Sequence, residues 1–260
     1  MERTGGLPLC AVTMNSNCEI RIGTSGWHYR HWLGNFYPAK MPASRMLAHY
    51  CERFDTVEIN NSFYRLPSEN SLLTWRNGTP PDFIFAVKGS RFLTHMKKLK
   101  DAEQGLERFL NAVNLLRPKL GPIVFQLPPQ WEMNLERMNE FLRILPKSQR
   151  VAFELRNATW HSPEVFQLLE RYNAGHCIFH LSGEHSPIRN TADFAYVRLH
   201  GPGGKYQGSY SNGALSEWAE RISAWTRNLK AVYVYFDNDE AGYAPRDAQR
   251  LKAMVTALAQ

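Results

Sequence analysis

The stretch "VAFELRNATW", residues 151–160, decides how this chain folds. Val151, Phe153 and Leu155 form one apolar file of an extended segment, and the alternate file is Ala152, Glu154 and Arg156. Successive strand side chains point to opposite faces. One face is therefore apolar while the other ends in two charges. A strand whose outer side meets helices and whose inner side faces a shared axis accounts for both files.

The pattern recurs along the chain. Short β-branched or aromatic runs bounded by turn residues predict eight strands: "EIRIGTS" (19–25), "TVEIN" (56–60), "FIFAVK" (83–88), "PIVFQL" (122–127), "VAFELR" (151–156), "HCIFHL" (176–181), "FAYVRLH" (194–200) and "AVYVYFDN" (231–238). The usual gap, about 20 to 40 residues, is what a strand, loop, helix and loop occupy in an α/β barrel. "SPEVFQLLERYNAG" (162–175) carries Ser162 as N-cap, Pro163 at the first helical position, Glu164 in the first turn and Gly175 near the end. Leu106, Phe109, Leu110, Val113 and Leu116 recur at helical spacing, as do Leu135, Met138, Leu142 and Leu145, and Trp218, Ile222, Trp225 and Leu229. Each set predicts a helix burying one stripe.

Between the sixth and seventh strands, "SGEHSPIRNTAD" (182–193) is too short and too polar for a covering helix. The predicted class is therefore α/β: a TIM-like (β/α) barrel of eight parallel strands, with a helix missing on that flank. An open doubly wound sheet competes, but no G-x-G-x-x-G turn follows the first strand and no Walker-type G-x-x-x-x-G-K occurs.

Parity then assigns faces. The outward files read Ile20, Ile22; Val57, Ile59; Phe83, Phe85, Val87; Ile123, Phe125; Val151, Phe153, Leu155; Cys177, Phe179; Ala195, Val197, Leu199; and Val232, Val234, Phe236. The inward files end in Ser25; Glu58, Asn60; Lys88; Gln126; Glu154, Arg156; His180; Arg198, His200; and Tyr235, Asp237. Polar groups at the C-terminal ends of barrel strands are where barrel active sites lie. Simple ion pairing across the interior is the bland alternative, but taking charges out of water costs several kcal/mol per ion, and apolar residues would fill the space at less cost.

The 260 residues suit one large domain, expected over 19–260 behind a flexible extension at 1–18 in which Met14 offers an alternative start. Hydrophobic residues at 43% and charged residues at 21% are ordinary for a globular chain and exclude a disordered or fibrous one. Cys10, Cys18, Cys51 and Cys177 are scattered with no C-x-x-C pair, which argues against a zinc cluster or disulfide framework and for a reducing cytoplasm. The start lacks a basic segment leading into an apolar run, and no stretch is apolar enough to span a bilayer. A net charge of +7 suits anionic partners, phosphates and nucleic acid included, through long-range steering. No RNA- or DNA-binding motif singles out nucleic acid.

The words themselves are familiar as a set. "IGTSGWHYRHWLGNFYP" (22–38), "VEINNSFYRLP" (57–67), "FAVKGSRFLTH" (85–95), "QLPP" (126–129), "AFELRNATW" (152–160), "YVRLHG" (196–201) and "YVYFDND" (233–239) together resemble the YecE-like family of domains of unknown function, in its order, across roughly 20–257. The resemblance implies a TIM-like barrel and no established reaction. Two positions depart from it: Thr159, where the family usually has Ser, keeps a hydroxyl, and Asp247, where it usually has Asn, lacks the amide.

The ring carries candidate chemistry. Glu58 and Glu154 are suited to divide into a general acid and a base or nucleophile, with Asp237, Lys88 and His200 as further catalytic candidates. Lys88, Arg198 and Arg65 are suited to hold an anion or developing negative charge. Ser25, Trp27, Asn60, Tyr64, His95, Gln126, Arg156, Trp160, Tyr206, Tyr210 and Asn238 complete the expected substrate-binding set. Tyr206 and Tyr210 lie in "GPGGKYQGSY" (201–210), whose glycines let backbone amides approach an anion. The expected function is an enzyme, hydrolase or lyase, acting on a small polar or anionic, sugar- or nucleotide-like substrate without an organic cofactor. A metal-dependent hydrolase or isomerase using Glu58, Glu154, His180, His200 and Asp237 is the first alternative, opposed by the basic neighbours Lys88 and Arg198. A non-catalytic module binding an anion or an oligonucleotide stacked on Trp27, Tyr64 or Trp160 is the second.

Overall fold

In the computed structural model, which describes residues 18–259, strands and helices alternate as the spacing demands. β1 (Glu19–Thr24), α1 (Ala43–Cys51), β2 (Thr56–Ile59), α2 (Glu69–Asn77), β3 (Ile84–Lys88), α3 (Glu103–Val113), β4 (Leu120–Leu127), α4 (Leu135–Ile144), β5 (Val151–Leu155), α5 (Pro163–Arg171) and β6 (Gly175–Leu181) follow in order. The short β7 (Glu184–His185) folds back antiparallel on β6. β8 (Phe194–Leu199), α6 (Asn212–Trp225), β9 (Ala231–Phe236) and α7 (Tyr243–Leu258) complete the alternation. No helix covers the step from β6 to β8, so β8 and β9 are the seventh and eighth expected strands. The expected extension at 1–18 lies, apart from Cys18, outside the described residues.

Local chemistry sets the helix ends. Ser162 caps α5 by accepting from the Val165 amide at 3.4 Å, and Pro163 occupies the first turn, where its missing N–H leaves nothing unsatisfied. α5 stops at Arg171; Gly175 opens β6 and does not close the helix. A Cβ there would press against Phe194 and Ala152, which explains glycine at a strand start.

The parallel strands pair in the order β1-β9-β8-β6-β5-β4-β3-β2. β1 and β2 close the ring through a bridge between Ser25 and Glu58, where the Gly26 amide donates to the Glu58 carbonyl at 2.8 Å. Further down, the Tyr50 hydroxyl stands in for the ladder, accepting from the Thr24 amide and donating to the Thr56 carbonyl, each at 3.0 Å. The two strands approach so closely that a Cβ on Gly23 would lie 2.4 Å from the Thr56 carbonyl oxygen. Gly23→Ala is expected to cost about 2 kcal/mol through this overpacking, seen as a lower urea midpoint at unchanged slope. An unmoved midpoint would show that the β1–β2 seam is loose.

Two apolar layers result. Ile22, Val57, Val87, Phe125, Phe153, Val197 and Val234 pack outward with the helices, while Ala86, Val124, Ala152, Tyr196, Tyr233 and Tyr235 fill the barrel below its mouth. β6 corrects the expected parity. Its register sets Cys177 beside Tyr196 and Phe179 beside Arg198, and paired residues of parallel neighbours face the same way, so Cys177 and Phe179 point inward. His180 points into the helical layer, where it stacks on His185 at 4.0 Å between ring centroids. "HCIFHL" has apolar side chains in both files, so alternation alone could not choose between them. No described helix is long and apolar enough to cross a membrane.

Candidate active site

The C-terminal ends of the strands converge on Arg198 of β8, which is fully buried. Its Nε and Nη2 fork onto Glu58 of β2 at 3.1 and 2.8 Å. Nη1 donates to Glu154 Oε2 of β5 at 2.5 Å, and Nη2 also reaches Asp237 Oδ2, just past β9, at 3.1 Å. Ser25 Oγ and Asn60 Oδ1 lie 3.4 Å from Nη2. Arg156 adds a second guanidinium, with Nε donating to Glu154 Oε1 at 2.5 Å. Buried charges survive only when paired and hydrogen-bonded, and this lattice meets both conditions.

Glu58 is saturated: besides the Arg198 fork it accepts from the Ser25 and Tyr196 hydroxyls, each at 2.6 Å. Burial by itself pushes the Glu154 carboxyl up, but Arg156, Arg198 and His200 reverse this and hold it well below the usual carboxylate range. Asp237 is likewise held below its ordinary value, burial being outweighed by Arg198 and His200. His200 Nδ1 lies 2.9 Å from Asp237 Oδ2, and its Nε2 lies 3.6 Å from Glu154 Oε1, so the imidazole links the two carboxylates.

Above this closed floor several polar atoms stay uncommitted. The Arg156 side chain is only 8% exposed, and its Nη2 is buried with no hydrogen-bond partner among the described residues. Lys88, at the end of β3 and also 8% exposed, rests its ammonium 4.6 Å from the Phe63 ring centroid. Burial, then the Arg198 charge, lowers its pKa to about 8. Burial followed by Arg91, Lys88 and Arg156 lowers His95 to about 4, which keeps that imidazole neutral at pH 7. Gln126 is inward on β4 and buried. Tyr206, half-buried in the 201–210 loop, sets its ring 5.5 Å from that of His200.

The structure therefore gathers Ser25, Glu58, Asn60, Lys88, Gln126, Glu154, Arg156, Arg198, His200 and Asp237, with His95 and Tyr206 at the edge. Four expected substrate-binding residues are engaged elsewhere. Trp27 packs outward against Trp75 at 5.0 Å and Phe85 at 6.5 Å. Trp160 is fully buried, its Nε1 donating to the Trp131 carbonyl at 2.7 Å. The Tyr210 hydroxyl accepts from the Gly201 amide at 3.1 Å and pairs with His180 Nδ1 at the same distance. Asn238 donates to Asp247 Oδ2 and the Gly208 carbonyl at 2.9 and 2.8 Å. Both tryptophans found apolar cover in the helical layer, and Tyr210 and Asn238 hold the 201–210 loop in place. Tyr64, 82% exposed, and Arg65, also exposed, lie on the loop after β2.

Tyr196 is the residue that sequence reading overlooked, although its inward parity with Arg198 in "FAYVRLH" was the available signal. Asp247 explains one departure from the family pattern. Its carboxylate accepts from Ser209 Oγ, the Tyr210 amide, Asn238 Nδ2 and Arg250 Nη1, a load suited to two oxygens. Thr159 keeps the role of a hydroxyl, accepting from the Met133 amide and donating to Asn157. Among the described residues, no three His, Cys, Asp or Glu side chains converge on a metal position. Arg198 itself occupies the centre between the carboxylates.

Similarity to known proteins agrees with this architecture. UPF0759 protein YunF of Bacillus subtilis (strain 168) is 26% identical over 266 residues, covering 89% of this chain and 93% of YunF. UPF0759 protein YecE of Escherichia coli (strain K12) is 28% identical over 139 residues, 53% of this chain and 48% of YecE. The crystal structure of a DUF72 family protein from Thermotoga maritima MSB8 superposes with a TM-score of 0.83 at 28% identity, covering 92% of this chain and 99% of that one. A DUF72 family protein from Enterococcus faecalis V583, at 18% identity and a TM-score of 0.76 over 93% of this chain and 99% of its own, shares the fold. The model described as "Protein of unknown function DUF72" matches residues 21–260, nearly the whole barrel, and the chain belongs to that family.

Proposed function

We propose that the barrel mouth is the active site of an enzyme that takes a small anionic, sugar- or nucleotide-like substrate and moves protons with a carboxylate and a histidine, without an organic cofactor. The observation that carries this is Arg156 Nη2: a guanidinium nitrogen buried with no partner among the described residues. Buried polar groups are nearly always paired, and one left over at the mouth of a barrel points to a missing acceptor. A phosphate or carboxylate oxygen supplies it, and the guanidinium fork suits such groups.

Proton transfer falls to Asp237 and His200 in place of the expected Glu58–Glu154 pair. Every lone pair that Glu58 can readily offer is taken, and Glu154 is shared between two guanidinium groups. Asp237 has only its Oδ2 engaged in hydrogen bonds among the described residues, which leaves Oδ1 for a substrate. Glu58 and Glu154 hold Arg198, and Arg198 holds Asp237. With both tryptophans in the outer layer, a stacked oligonucleotide would rest on Tyr64 alone, which favours a small molecule. The free thiols of Cys18, Cys51 and Cys177 fit work in the reducing cytoplasm.

A thermal-shift series with inorganic phosphate, ribose 5-phosphate and adenosine monophosphate tests this. A ligand at 100 times its Kd should stabilise the wild-type protein by about 2.7 kcal/mol, and Arg156→Ala should weaken that binding roughly tenfold or more through the lost charge-assisted bonds. Equal responses from the two proteins, or none from the wild type, would remove the reading.

A further inference from the structure

We infer that Lys88 is a nucleophile that forms a Schiff base, and that the ligand of the mouth is an anionic aldehyde or ketone. The nucleophile stands on its own geometry; only the anionic half of the ligand rests on the Arg156 reading above.

A second buried lysine shows what a structural one looks like in this protein. Lys119 is also 8% exposed, and its Nζ donates to the Arg76 carbonyl, the Thr79 carbonyl and the Thr79 hydroxyl at 2.5, 2.7 and 3.1 Å. Its three hydrogens thus meet three acceptors. Lys88 has the same burial, yet among the described residues its Nζ has neither a hydrogen bond nor an ion pair, only the face of Phe63. The cause is the lattice below. Glu58 is filled by Ser25, Tyr196 and Arg198, Glu154 by Arg156 and Arg198, and Asp237 Oδ2 by Arg198 and His200.

The backbone that carries Lys88 is fixed all the same. Its carbonyl accepts from Ser62 Oγ at 2.7 Å, and the next amide, Gly89, donates to the Val124 carbonyl at 2.8 Å. An amine that is carried on a fixed strand end, desolvated and left unpaired beside a permanent cation is the arrangement that keeps lysine neutral enough to attack a carbonyl. Arg198 is that cation; burial first and Arg198 second lower the amine against the opposing pull of Glu154, Asp237 and Glu58. At about 8, roughly one lysine in ten is neutral at pH 7, against about one in three thousand at the ordinary value.

The step balances within the site. The Nζ lone pair forms a bond to the carbonyl carbon while the π pair moves to oxygen. Asp237, whose carboxylate feels the Lys88 charge, takes a proton from nitrogen and returns it to that oxygen. Asp237 then carries the remaining N–H proton to the new hydroxyl as the C–O bond breaks, so water leaves with both former amine protons and the imine remains; a proton from solvent makes it cationic, and water reverses the sequence. Arg156 holds the anionic end. A protonated imine draws electrons from the neighbouring carbon, so the class of reaction it serves is a lyase acting on a carbon bond next to the former carbonyl.

Borohydride trapping on the full chain tests this, with pyridoxal 5′-phosphate as the anionic aldehyde and propanal as the neutral one, read by peptide mass spectrometry. At pH 7 both aldehydes should be fixed at Lys88 roughly tenfold or more faster than at exposed lysines such as Lys40 and Lys147. Arg156→Ala should slow the phosphorylated probe about tenfold and leave propanal unchanged. Lys88→Arg should lose the fast site with both. Labelling of Lys88 at the surface rate overturns the inference, even if anions still bind in the thermal-shift series. Fast labelling that is indifferent to Arg156 and to probe charge keeps the nucleophile and overturns the anionic half.

Discussion

Arg198→Met is expected to destabilise the protein by about 4 kcal/mol or more at pH 7, because it strips the shared partner from Glu58, Glu154 and Asp237 and leaves buried charges uncompensated. The loss should shrink in acid, and the sign follows from both proteins. In the wild type, Glu154 and Asp237 are held below their ordinary values, so their ionisation stabilises the fold above the usual carboxylate range and that contribution fades as pH falls through it. In the variant, burial and mutual repulsion are unopposed by Arg198 and raise the same carboxyls, so protonation relieves the strain. Urea midpoints at pH 7 and pH 5 read the gap directly. A loss of the same size at both values would mean that shape, not charge, is what Arg198 supplies. Arg198→Lys keeps a cation but not the fork across three carboxylates, and it should recover only part of the loss.

Lys88→Met should do the reverse and stabilise the protein by roughly 3 kcal/mol at pH 7, the difference between the ordinary lysine value and about 8 converted to free energy. A base whose folded pKa lies below its unfolded one opposes folding while it is protonated. The penalty is complete below about 8 and disappears as pH rises towards the ordinary value of 10.5. The gain in stability should therefore be constant from pH 6 to 7 and vanish near pH 10.5. Lys119→Met serves as the opposite case, since it orphans two carbonyls and a hydroxyl and should destabilise. Should Lys88→Met also destabilise, the ammonium has a partner that stabilises it. A residue retained against a cost of this size belongs with function more than with the fold.

The alternation of apolar and polar files was enough to predict the barrel. Glu154 and Arg156 read as inward because Val151, Phe153 and Leu155 could only be outward, and a period of two leaves no third choice. The missing helix between β6 and β8 was legible for a similar reason, since twelve mostly polar residues from Ser182 to Asp193, interrupted by Gly183 and Pro187, cannot lay down an apolar stripe. The same logic failed on β6, where Cys177 and Phe179 are as apolar as Ile178, and the hydrogen-bond register with β8 made the choice.

Residue type and strand end placed the charges on one axis, but which of them remain free was decided by distances between strands far apart in the chain. Glu58 meets Tyr196 across 138 positions and Arg198 across 140, and no local pattern encodes that they saturate it. Trp27 and Trp160 follow their strands as mouth residues would, yet burying a large ring against the helices outweighed exposing it. Patterning along the chain is a matter of neighbours two and four residues away, so the sequence by itself determined the barrel and its polar ring. Only the tertiary structure, by spending three carboxylates on Arg198, Arg156 and His200, left the Lys88 ammonium and the buried Nη2 of Arg156 without a hydrogen-bond partner among the described residues.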